Sequence, residues 1–252
     1  MTASPTEERA FWDDPAHRLH LLANLLDHAD STWRSLSGAR LKELLSPAHG
    51  KDVLSIGSDS WYSYLYKEGV RPSRLTCVNI SSKELTFGAM KSFLTPDLNV
   101  DFVRMDAHRL DFSDRTFDFV FGTAVLHHLD LARALPEIRR VLRPKGGILF
   151  VEPLAFNPLA ACIRSLTPNA RTRSERPLGP RELAMIRAVF PHTTFSYAQL
   201  ALVPAGIMSH FLCRTPVNWL TRAGHTADKW LFRHFPFLGP LSRKVVIAGR
   251  AD

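Results

Sequence analysis

Cysteine is scarce in this chain: Cys77, Cys162 and Cys213 are far apart and odd in number. Isolated thiols make a poor disulfide framework, so a reducing, cytoplasmic setting is expected. Long apolar runs are missing as well. No stretch approaches the roughly 20 residues needed to cross a bilayer, and the opening MTASPTEERAFWDD is too acidic for a signal peptide. Clustered positive charge is limited. The net charge is +8, but the basic residues are scattered apart from Arg164, Arg171, Arg173, Arg176 and Arg181. With no recognisable nucleic-acid module, nucleic acid is not an expected partner. Metal-ligand spacing is absent too: no carboxylate or cysteine arrangement accompanies His127-His128, so no metal is expected. What remains is 252 residues, 45% of them hydrophobic, enough for one α/β domain with elaborations.

The most informative stretch runs MDAHRLDFSDRTFDFVFGTAVLHHLDLARALPEIRRVLRPKGGILFVEP, from Met105 onward. Residues 117–122 (FDFVFG) form a short apolar run suited to a strand buried on both faces. Residues 131–142 carry apolar side chains at helical spacing, and Arg139, Arg140 and Arg143 suit the negative end of the helix dipole. Pro144-Lys145-Gly146-Gly147 stops that helix, and residues 148–151 form a second buried strand. Strand, helix, turn and strand make one crossover unit of a parallel sheet.

This segment resembles the second half of the class I S-adenosylmethionine (SAM) methyltransferase core, in its small-molecule group. The likeness is carried by Asp106-Ala107, Phe117-Asp118, the run AVLHHL, Glu137, VLRPKGG and Val151-Glu152-Pro153. It covers residues 40 to 155 and continues more weakly to the C-terminus. The resemblance implies a Rossmann-like, doubly wound α/β fold, mainly parallel with an antiparallel last strand. It also implies SAM as cofactor and Gly57, Ser58, Asn79, Ile80, Asp106, Ala107 and Thr123 as the residues around it. Asp106 would take the adenine amino group and Ala107 would offer its backbone.

The first half departs from the family. Residues 52–57 (DVLSIG) read as the first strand, but the usual Asp-x-Gly-x-Gly-x-Gly turn becomes Ser55-Ile56-Gly57-Ser58-Asp59-Ser60-Trp61. Direct alignment puts Asp59 and Trp61 where glycines stand; a one-residue gap makes Asp59-Ser60 a helix cap instead. The second strand, residues 75–80, carries Asn79 near its end, where the family has an acidic residue on the ribose hydroxyls. An amide weakens that contact by roughly 1 kcal/mol. Some small-molecule methyltransferases resemble this Asn-Ile-Ser pattern; the other reading is an asparagine ending a strand in a turn. The third strand covers residues 101–105. His127 and His128 read either as proton acceptors from the methylated atom or as packing residues.

Outside the core, residues 1–49 read as a helical cap, with helices over 16–29 and 36–45 and a stripe of Leu19, Leu22, Leu25 and Leu26. It serves as a cover or as a closing lid, with Phe11, Trp12 and Trp33 as packing residues. Residues 157–166 and 181–190 read as helices, 193–203 and 244–249 as strands. The Arg-rich linker between them is a solvated loop or an anion clamp. An insertion over 204–241 carries Phe211, Trp219, Trp230, Phe232, Phe235 and Phe237 among basic residues. It is an extra helical layer, an apolar substrate pocket or a membrane-resting patch. The implied function is methyl transfer to O, N or C of a small, hydrophobic metabolite. Its alternatives are a methyltransferase-like cyclase or partner subunit, and a peripheral membrane or anion-binding module.

Overall fold

The computed structural model describes residues 5–13, 23–58, 60–167 and 175–252. The strands are β1 (Asp52–Ile56), β2 (Arg74–Asn79), β3 (Val100–Arg104), β4 (Phe117–Thr123), β5 (Leu142–Pro153), β6 (Thr194–Ala198) and β7 (Lys244–Arg250). They form one sheet in the order β3-β2-β1-β4-β5-β7-β6. β1 to β5 pair in parallel, and β7 runs antiparallel to both β5 and β6.

Period-two alternation puts the strand side chains into two cores. Leu54, Ile56, Val78, Val120, Phe150 and Ile247 meet the buried faces of helix α5 (Leu131–Val141) and helix α7 (Pro180–Val189). Val53, Leu75, Cys77, Phe119, Phe121, Leu149 and Val246 meet Trp33, Leu41, Leu45 and Trp61 on the other side. Each fully buried side chain of this size contributes about 1.5–3 kcal/mol. α5 is set by Asp130, whose carboxylate accepts from Ala132 N, and by the buried stripe Leu131, Ala134, Leu135, Ile138 and Val141.

The remaining helices are α1 (Pro5–Asp13), α2 (Asp27–Leu36), α3 (Gly38–Leu45), α4 (Ser82–Met90), α6 (Pro158–Leu166), α8 (Leu202–Leu212) and α9 (Trp219–His234). Three expectations change. The helix expected over 16–29 has residues 14–22 outside the described set; residues 23–26 form a 3-10 turn and α2 begins at Asp27. β5 starts at Leu142, ahead of the expected Pro144-Lys145-Gly146-Gly147 turn, because a register shift against β4 and the left-handed Lys145 (φ 62) absorb that turn within the strand. The strand expected over 193–203 stops at Ala198. There the Asp228 carboxylate of α9 accepts from Gln199, Leu200 and Ala201 N, and that cap starts α8.

Candidate active site

The strand order reverses between β1 and β4, the place where open α/β sheets bind ligands beyond their carboxyl ends. A cavity of about 290 Å³ opens there. All seven residues expected around a cofactor line it: Gly57, Ser58, Asn79, Ile80, Asp106, Ala107 and Thr123. His128 lines it too, and His127 does not.

The described residues of the altered loop leave this space open. Gly57 has φ +86, a left-handed backbone that favours glycine, and its N–H donates to Val78 O at 2.9 Å. Ser55, at the family's acidic position, donates its hydroxyl to Gly57 O at 2.9 Å. Asn79 Nδ2 donates to Ser58 Oγ at 3.1 Å, and the Thr123 hydroxyl bonds the Ser60 hydroxyl. The loop is thus tied to β2 and β4. It also presses on α4, where a Cβ on Gly88 would lie 2.2 Å from Ser58 O, so only glycine fits. Trp61 turns away from the cavity into the core, fully buried, which anchors the start of the next helical turn. Asp59 lies outside the described residues.

Asn79 ends β2 in a turn as well as lining the cavity, since its Oδ1 accepts from Ser81 N at 3.0 Å. One lone pair is used there, and the second is the acceptor it can offer a ligand. Asp106 is held by a fixed histidine. Asp130 N donates to His108 Nε2 at 2.9 Å, so the His108 proton sits on Nδ1, which donates to Asp106 Oδ1 at 2.6 Å. His108 N adds a second bond to the same oxygen at 2.9 Å.

The two histidines differ in their surroundings. Glu152, at the end of β5 and fully buried, accepts from Val125 N (2.9 Å) and Leu126 N (3.0 Å) through Oε1. Its Oε2 meets His127 Nδ1 at 2.8 Å. His127 is therefore a bracket for the β4–α5 turn, which Ala124 enters with a left-handed φ of 50°. His128 faces the cavity and Glu8 Oε2 at 3.5 Å. Burial works against its charged form, but Glu8, Glu175 and Glu152 outweigh it and hold the imidazole above its ordinary pKa. The sequence shows no carboxylate beside this histidine pair; the fold brings three.

Sequence reasoning missed α1. Its Glu8 and Trp12 line the cavity, with Trp12 Nε1 donating to Glu8 Oε2 at 3.1 Å and the Trp12 and His128 rings edge to face at 5.4 Å. Asp13 fastens the helix by accepting from Ser81 Oγ at 2.6 Å. Trp12 is thus a wall of the site in addition to packing. The signal was present in Pro5 followed by Glu7 and Glu8, a proline-first, acidic helix start. Glu84 and His108 also line the cavity without having been singled out. The insertion forms α8, α9 and a 3-10 turn, and none of its residues lines this cavity. Of the Arg-rich linker, Arg171 and Arg173 lie outside the described residues and Arg176 is exposed.

Residues 54–150, which hold β1 to β4 and most of β5, match the family described as a methyltransferase domain. Over this stretch the chain carries a methyltransferase domain, in line with the class I resemblance. An O-methyltransferase of Penicillium expansum is 28% identical over 116 residues, 45% of this chain and 42% of that one. A demethylmenaquinone methyltransferase of Chlorobaculum tepidum is 24% identical over 156 residues, 61% of this chain and 62% of that one. The chain thus spans about half the length of these curated relatives. Among solved structures, the geranyl diphosphate C-methyltransferase of Streptomyces coelicolor A3(2) superimposes with a TM-score of 0.61 at 16% identity, over 86% of this chain and 76% of that one. That likeness is one of fold. This methyltransferase fold, with its antiparallel β7 inserted between β5 and β6, matches the architecture the sequence implies.

Proposed function

We propose that this methyltransferase binds SAM in the cavity beyond β1 to β4 and methylates an O, N or C atom of a small, hydrophobic metabolite. The observation that carries this is the cavity lining: seven nominated residues surround one space, and Trp61 is buried elsewhere. Gly57 and Ser58 suit the methionine end, Asn79 the ribose, and Asp106 with Ala107 the adenine. SAM supplies a sulfonium-activated methyl group; the chain supplies alignment and a dry space. Of the lining residues outside that set, His128, Glu8 and Trp12 are assigned to the acceptor. His128 takes the proton an acceptor releases, its charged form supported by Glu8. The geranyl diphosphate and demethylmenaquinone named for the relatives support an apolar acceptor. Asp106→Ala is expected to weaken S-adenosylhomocysteine binding by about 1–3 kcal/mol, as for a lost charged hydrogen bond. Unchanged affinity in the folded variant, by calorimetry, removes Asp106 from the adenine.

An apolar acceptor raises the question of how it arrives, and α9 supports approach along an anionic membrane surface. Trp219, Arg222, Thr226, Trp230 and Arg233 follow at helical spacing along its outward face, with Trp219 74% and Trp230 54% exposed. Indole and guanidinium together suit the lipid headgroup layer. Vesicles containing phosphatidylserine should sediment the protein, and a Trp219→Ser, Trp230→Ser double variant should stay in the supernatant. Equal sedimentation of both would discard the surface.

A further inference from the structure

We propose that His127, His128 and Glu175 bind a divalent transition-metal ion at the acceptor wall of the cavity. This rests on the assignment of that wall to the methyl acceptor. The starting point is Glu152, whose Oε2 lies 2.8 Å from His127 Nδ1. That contact keeps the proton on Nδ1 and leaves a lone pair on Nε2. Nε2 faces Glu175 Oε1 at 3.9 Å, with the side chains 5% and 16% exposed. In that tautomer neither atom can donate to the other, and a cation between them would meet two acceptors in a space nearly closed to water.

The third donor is at hand. One donor atom of each of His127, His128 and Glu175 lies within 4.8 Å of the other two. Tetrahedral bonds of about 2.1 Å separate ligand atoms by about 3.4 Å, so side-chain adjustments of ~1 Å close the site. Separate features support it. Arg176 N donates to His127 O at 2.9 Å, which pins the Glu175 segment to the histidine turn. His128 Nδ1 is buried and, beyond its 3.5 Å contact with Glu8 Oε2, has no hydrogen-bond partner among the described residues. Glu152, His127 and the ion would form a carboxylate–histidine–metal line, the usual way a ligating imidazole is oriented.

Two imidazoles and one carboxylate suit zinc, cobalt, nickel or iron better than magnesium or calcium. Three protein ligands leave a position open, and His128 sets it at the cavity wall. An acceptor hydroxyl bound there loses its proton more readily. His128 then acts as a ligand, and Glu8 remains as the carboxylate that receives the proton.

The test uses the tag-free full chain, dialysed against chelator and titrated with Co²⁺. One equivalent should bind with visible d–d absorption that Zn²⁺ abolishes. Glu175→Gln should weaken Co²⁺ binding by roughly 10–100-fold, the scale of losing one partner of a metal site, with an unchanged circular dichroism spectrum. His128→Gln should do the same. Absent Co²⁺ absorption at millimolar metal, or equal affinity in the wild type and both variants, would overturn the site. S-adenosylhomocysteine binding, followed in parallel, separates the two claims: Co²⁺ binding without it supports the cation site while removing the methyl-transfer assignment.

Discussion

Glu152→Ala is expected to destabilise the protein by about 3–5 kcal/mol, the range for removing one member of a buried charged network. The carboxylate is 0% exposed and serves Val125 N, Leu126 N and His127 Nδ1 together. Alanine leaves two backbone donors, one buried and one partly buried, and an imidazole N–H without acceptors, each worth about 1–3 kcal/mol when buried. It also opens a void at the end of β5. Glutamine keeps an acceptor for the backbone donors and should cost less than half as much. Urea unfolding of both variants checks this. A loss under about 1 kcal/mol for alanine would mean that water replaces the carboxylate, and the β4–α5 turn is not held as described.

Asp30→Ala is the second large effect, and it concerns how the N-terminal helices are held to the sheet. Asp30, on α2, meets Arg243 Nη1 and Lys244 Nζ, both at 2.6 Å, and accepts from Gln199 Nε2 at 2.9 Å. Breaking a fully buried pair costs about 3–5 kcal/mol. Asp30 keeps 34% of its side-chain surface exposed, so solvent screens part of this and roughly 2–3 kcal/mol is expected. Burial alone would raise the Asp30 pKa, but Lys244 and Arg243 hold it well below the carboxylate range. A depressed acid pKa gives stability that is present at neutral pH and lost as pH falls below about 4. The wild type should therefore lose stability on acidification more steeply than Asp30→Ala. Parallel pH profiles for the two would contradict the triad.

The core strands and α5 were legible because their signals are local. FDFVFG and the Leu131 to Val141 stripe carry their own periodicity, and Asp106-Ala107 and VLRPKGG carry the family's pattern. The residues that shape the acceptor wall were illegible for the opposite reason. Glu8, Glu152 and Glu175 are far from His127-His128 in sequence, and only the fold brings them there: Glu8 on α1, Glu152 on β5 and Glu175 on the segment that Arg176 N ties to His127 O. Asn79 was legible as a strand end, but not its bond to Ser58, which closes the loop from 21 residues away. Gly88 gave no signal at all, since its need arises from the Ser58 carbonyl pressed against α4. The strand limit at Ala198 likewise depends on Asp228, 29 residues from Gln199.

The departure at residues 57–61 makes SAM binding the point on which everything else depends. Calorimetric titration of the purified chain with S-adenosylhomocysteine is the direct measurement. One site per chain with a micromolar Kd is the expected result, because Gly57, Asn79 and Asp106 still line one open cavity. No heat of binding at millimolar ligand, with the protein folded, would contradict it.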